Sequence, residues 1–200
     1  MKFLQKTLFI LLVISTFSLT VSADILEDIT NTMRSKVNET INTLKDNSLM
    51  KCEKNVKISQ LAEGLFDYDL MSKLSIGKKN WNKFSSVQKK EFVELFSMRM
   101  KQSYIEKAHL LTDEKVTVYK AIEVKPTRIE LNVVIHGKDK DTDMIYKYYK
   151  TRENTWLIYD VEIAKISILQ TYRAQFAEKL SNETVEELLE QLRTTKTNQS

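Results

Sequence analysis

The chain has 200 residues, a net charge of +4 at neutral pH, and only three glycines, one proline and one cysteine. That charge is too mildly basic for a nucleic-acid-binding domain, and the single Cys52 rules out an internal disulfide. Scarce Gly and Pro argue against collagen-like, Gly-rich phosphate-binding and Pro-rich recognition designs, and for long regular elements in one domain of ordinary size.

Residues 1–23 form a unit of their own. Lys2 and Lys6 charge the start, Leu8 to Val21 is apolar except for Ser and Thr, and Val21-Ser22-Ala23 is a small-residue cleavage pattern. This is the layout of a secretory signal peptide, and the apolar run is short for a bilayer core of roughly 30 Å. The mature chain is expected to begin at Asp24 and to work outside the cytoplasm. It should form a single domain over 24–195, followed by a disordered polar tail at 196–200.

Leu26, Ile29, Met33, Val37, Ile41 and Leu44 recur every three or four residues and predict an amphipathic helix. A second helix is predicted over about 53–75, with Gly77 as its stop. Ser85 and Gln88 make a capping box ahead of a third helix, whose apolar side reads Phe92, Leu95, Phe96, Met100 and Tyr104 and which runs to about His109. The period then drops to two. Val116 and Val118, then Ile129, Leu131, Val133 and Ile135, then Met144, Tyr146 and Tyr148, then Trp156 to Val161 predict four strands. Turns are expected at His136 to Asp143 and at Asn154. Helix resumes after Ile166, and Thr184 with Glu187 caps a last helix carrying Val185, Leu188, Leu189 and Leu192. The predicted class is α+β: a curved antiparallel sheet of about four strands, packed against N- and C-terminal helices.

Specific chemistry is hard to find. His109 and His136 stand in no metal-ligand spacing, and no nucleophile elbow, phosphate loop or dinucleotide fingerprint is present. Asp139 to Asp143 lacks the Gly and the distal Glu of a calcium loop and reads as a hairpin tip. Asp67 and Asp69 read as helix-capping or salt-bridging acids. No catalytic residue, metal ligand or cofactor is assigned.

Two segments carry a resemblance. The first is Phe66-Asp67-Tyr68-Asp69-Leu70-Met71-Ser72-Lys73, with Ile76-Gly77-Lys78, Trp81 and Gln88-Lys89, continuing through Phe92, Phe96 and Tyr104. The second is Trp156-Leu157-Ile158-Tyr159-Asp160-Val161, followed by Ser167, Tyr172-Arg173 and Gln175-Phe176. Together they resemble the MlaC, or toluene-tolerance (Ttg2), family of periplasmic phospholipid-binding proteins. Asn80 looks like an insertion against that pattern. Lys165 stands where the family usually has Gly, and Ser86-Val87 replaces a usual Pro-Glu.

The resemblance implies a monomeric periplasmic carrier of glycerophospholipid, not an enzyme. Its implied partners are an outer-membrane lipoprotein–porin complex and an inner-membrane ABC transporter with its periplasmic lipid-binding subunit. It also implies an apolar pocket between sheet and helices. The residues expected to line it are Phe92, Phe96, Met100 and Tyr104, facing Ile129, Leu131, Val133 and Ile135, with Ile166, Ile168 and Leu169 near the mouth. The head group is expected to stay in water with little selectivity, touched at most by cations such as Lys165 or Arg173. Asp160 is expected to accept structural hydrogen bonds. The alternative is a periplasmic adaptor or chaperone that holds an apolar protein segment in the same groove.

Overall fold

The computed structural model describes residues 23–111 and 114–197. The proposed signal peptide lies outside them, apart from Ala23. Helix α1 spans Ala23–Lys45, α2 Lys51–Ala62, α3 Tyr68–Trp81 and α4 Ser86–Ala108, closed by a 3-10 turn at His109–Leu111. Six strands follow: β1 Lys115–Val118, β2 Ile122–Lys125, β3 Arg128–His136, β4 Asp141–Lys150, β5 Trp156–Ile163 and β6 Ile166–Ser167. Helices α5, Ile168–Asn182, and α6, Val185–Thr197, complete the chain. The α+β class stands, and α6 continues past Thr194, where a frayed tail was expected to begin.

The helix predicted over 53–75 is two helices. Gly64 takes φ 77°, a left-handed conformation open to glycine, and the next residues run extended onto the sheet. The Ile158 amide donates to the Leu65 carbonyl at 2.8 Å, and the Asp67 amide donates to the Ile158 carbonyl at 2.9 Å. Asp67 then restarts the helix, its carboxylate accepting from the Leu70 amide at 2.8 Å and from the Tyr149 hydroxyl. Leu61, Leu65 and Leu70 keep an apolar rhythm across the break, so periodicity alone joined two elements. Gly77 does interrupt α3, at φ 72°. The Arg173 guanidinium closes the interruption by donating from Nε to the Leu74 carbonyl at 2.7 Å.

The sheet is antiparallel, in the order β1-β3-β4-β5-β6, with β2 pairing β3 on the same edge as β1. In β3, Val133 stands opposite Met144 and Leu131 opposite Tyr146, so alternate residues share one face. A register shift between Lys147 and Tyr148 bends the β4–β5 pair. Two short strands escaped the sequence reading. Strand β2 is mostly exposed and shows no inward stripe, and β6 has only two residues. The β3–β4 turn is shorter than expected, because pairing persists to His136 and Asp141. A turn with positive φ at both Ala164 (50°) and Lys165 (67°) joins β5 to β6, as a two-residue type I′ hairpin requires.

Two apolar clusters share the interior. The helical cluster contains Met71, Phe84, Phe92, Phe96, Phe176 and the leucines of α5 and α6. Its rings interlock edge-to-face, Phe92 to Phe176 at 5.5 Å and Phe96 to Tyr172 at 5.2 Å between centroids. The sheet cluster contains Ile29 and Met33 of α1, Ile129, Leu131 and Val133 of β3, and Tyr146, Tyr148, Ile158 and Val161. Helix α1 is pinned to the sheet edge by Thr30. Its hydroxyl donates to the Leu26 carbonyl at 2.6 Å and accepts from the Ala121 amide at 2.9 Å.

Candidate functional site

An apolar cavity opens between α1, α4 and the inner face of the sheet. Helix α1 contributes Met33, Lys36, Val37 and Thr40 to its wall, and α4 contributes Met100, Ser103, Tyr104, Lys107 and Ala108. These positions follow the helical spacing that puts one stripe on one face. The sheet supplies Val133, Ile135, Met144, Tyr146, Val161 and Ile163. The extended break after α2 supplies Leu65 and Phe66, and Tyr68 and Ile168 come from the first residues of α3 and α5. The cavity has room for water-sized centres over about 90 Å³, within about 940 Å³ of unfilled space that includes its open mouth. By the first measure it is a slot, narrower than the roughly 300–1,000 Å³ of a drug-sized pocket.

No carboxylate, histidine or thiol lines the cavity among the described residues. Burial raises the Tyr146 and Tyr104 hydroxyls above the usual tyrosine range, and raises Tyr68 to about 12. These phenols therefore stay neutral near pH 7, and the wall is uncharged except for Lys36 and Lys107. Tyr104 also hydrogen-bonds Thr40, linking α4 to α1 across the slot. The chemistry offered is a dry apolar surface with a few hydroxyls and a cationic rim.

Of the eleven residues expected on the wall, Met100, Tyr104, Val133, Ile135 and Ile168 are there. Six are elsewhere. Phe92, Phe96 and Leu169 are packed into the helical cluster, and Ile129 and Leu131 are fully enclosed in the sheet cluster. Ile166 is 64% exposed on β6. Lys165 sits in the β5–β6 turn, and Arg173 is committed to the Leu74 carbonyl, so neither borders the cavity. The α1 wall was missed, although Met33 and Val37 were legible as its apolar stripe. The signal that marks it is polar: Lys36 and Thr40 interrupt an otherwise inward face.

The other polar candidates have structural roles. Asp160 accepts from the Ser167 hydroxyl at 2.7 Å and from the Val161 and Leu169 amides, which anchors the start of α5. His109 bonds Asn55 at 2.7 Å, and His136 bridges Thr117 and Asp141. Among the described residues no cluster of His, Cys, Asp or Glu is placed to hold a metal ion. Nor is any helix long and apolar enough to cross a membrane.

Comparison with curated proteins gives no match. Among solved structures, the chain resembles a phospholipid-binding protein from Ralstonia solanacearum determined in complex with a phospholipid. The two are 18% identical with a TM-score of 0.67, over 82% of this chain and 94% of the other. At that identity the likeness establishes the fold. The family described as "MlaC protein" matches residues 34–194, from the second turn of α1 to α6. With the match covering most of the chain, from cavity wall to C-terminal helices, this protein belongs to the MlaC family.

Proposed function

We propose that this protein is a periplasmic glycerophospholipid carrier that holds acyl chains in the slot between α1, α4 and the sheet. The observation that carries the reading is the wall itself, apolar and free of carboxylate, histidine and thiol among the described residues. Such a wall suits binding rather than acid–base or nucleophilic chemistry. Membership of the MlaC family and the phospholipid complex of the Ralstonia protein support the same reading.

The energetics explain why a carrier is needed. A diacyl lipid has about 30 methylenes, and at roughly 0.8 kcal/mol each their exposure to water costs on the order of 25 kcal/mol. The carrier must match a bilayer closely enough to load and unload. A slot this narrow takes two chains only if its walls part, so loading is coupled to movement of α1 or α4 from the sheet. In the cell the carrier passes lipid between an outer-membrane lipoprotein–porin complex and an inner-membrane ABC transporter, which maintains outer-membrane lipid asymmetry.

The test is native mass spectrometry of the protein exported to a bacterial periplasm and purified without detergent. The expected result is one added glycerophospholipid mass, lost by at least ten-fold in Val133→Asp, which puts a charge on the wall. A lipid-free protein that also takes nothing from vesicles overturns the reading.

A further inference from the structure

The cavity lining contains two charges, and both are positive. Lys36 is half-buried on α1 and Lys107 is exposed on α4. Neither takes part in an ion pair among the described residues. The acids next to them in sequence do not line the cavity. Glu39 accepts from the Ser35 hydroxyl at 2.8 Å and Glu106 from the Gln102 amide at 3.0 Å, both on exposed helix surface.

The two lysines also converge. Lys36 lies four residues before Thr40 on α1, and Lys107 lies three residues after Tyr104 on α4. Side chains at those spacings are about 5–6 Å apart at Cβ. Thr40 and Tyr104 hydrogen-bond each other across the slot, so both ammonium groups originate within one helical turn of a single point on the rim. Along α4 the lining runs from Met100 through Ser103 and Tyr104 to Lys107. That sequence of apolar, hydroxyl and cationic groups is the profile of a phospholipid read from tail to phosphate.

We propose that Lys36 and Lys107 form a phosphate-binding pair at the cavity mouth, and that the carrier favours net-anionic phospholipids over zwitterionic ones. This rests on the carrier reading and deepens it by naming the lipid class. A zwitterionic head group brings its own ammonium to the same place, where it opposes the lysines; a glycerol head group does not. The selectivity differs from the unselective, solvent-exposed head group that the family resemblance implied.

The experiment offers the full mature protein vesicles containing equimolar phosphatidylglycerol and phosphatidylcholine with identical chains. One mixed surface attracts every variant alike. The protein is then separated by gel filtration, and its lipid is extracted and quantified. Wild type is expected to carry the anionic lipid in at least about five-fold excess, since one lysine near an anionic phosphate contributes about that factor. The excess should shrink with added salt. The double variant Lys36→Gln, Lys107→Gln should lose the preference, while the charge-matched surface control Lys79→Gln, Lys90→Gln should retain it. Thermal melts establish that both variants are folded. Equal loading of the two lipids by wild type, or a preference unchanged in the double variant, overturns this proposal and leaves the carrier reading standing. Loading of neither lipid overturns both.

Discussion

Helix α4 runs through two different interiors. Its first half sends Phe92 and Phe96 into the helical cluster, where both are completely enclosed by rings from α3 and α5. Its second half sends Met100 and Tyr104 from the same stripe to the wall of a slot. Strand β3 repeats the contrast, with Ile129 and Leu131 enclosed and Val133 and Ile135 on the wall. The same hydrophobic pattern therefore serves as a close-packed core at one end and as a binding surface at the other. The difference lies in what stands opposite. Across from Phe92 and Phe96 are large aromatic side chains at contact distance, whereas across from Met100 and Tyr104 the walls are held apart.

The strongest way to break this comparison is to truncate one residue from each half. Phe96→Ala removes a ring from an interlocked cluster and is expected to cost about 3–5 kcal/mol. Met100→Ala, bordering space that is already unfilled, should cost about 2 kcal/mol or less, because fewer contacts are lost. Urea unfolding of the two variants measures both values. Equal losses would mean that α4 faces one continuous core.

A second effect belongs to the cavity side. Tyr68 is raised to about 12 by burial, and Tyr149 to about 12 by partial burial and its bond to Asp67. Burial raises Tyr104, Tyr146 and Tyr148 as well. Below pH 10 these phenols are neutral whether the chain is folded or unfolded. Between pH 10 and 12 the unfolded chain releases their protons while the folded chain holds them, so stability falls as pH rises through that window. Each enclosed tyrosine contributes at most about 1.4 kcal/mol per pH unit. Tyr146→Phe should flatten the decline of the urea midpoint over this range; an unchanged slope would place the alkaline sensitivity outside the cavity wall.

The smallest effect lies between the two regions. Lys165 holds φ 67° in the β5–β6 turn, a conformation that costs a side chain about 1 kcal/mol or more. Gly carries no such cost but loses more backbone entropy on folding. Lys165→Gly should therefore raise stability by about 0.5–1 kcal/mol in a thermal melt, with no change in lipid loading. A destabilised variant would show that the lysine side chain makes a compensating contact.

Most elements were legible from local chemistry. The capping boxes at Ser85 and Thr184 form as their spacing suggests, and the period of two located β3 and β4 because each buries one face. Where the sequence reading failed, the deciding interaction was distant. The break after α2 exists because residues 65–67 hydrogen-bond to Ile158, nearly a hundred positions away. Gly64 and Asp67 were the available local signs. Strand β2 shows too little burial to leave a stripe, and β6 is too short to show a period.

By itself the sequence determined the α+β class, the inward faces of α1, α4 and β3, and, through its motifs, the MlaC family. Hydrophobic spacing is a property of a single element, so it reports which side turns away from water. Tertiary structure alone decided which inward residues touch one another and which border a slot. That depends on the separation of α1 and α4 above the sheet, set by the Thr30 anchor, the Thr40–Tyr104 bridge and the bulk of the aromatic cluster beside them. It also decided that Lys36 and Lys107 share one rim, because only the folding of two helices separated by about seventy residues brings their charges to the same mouth.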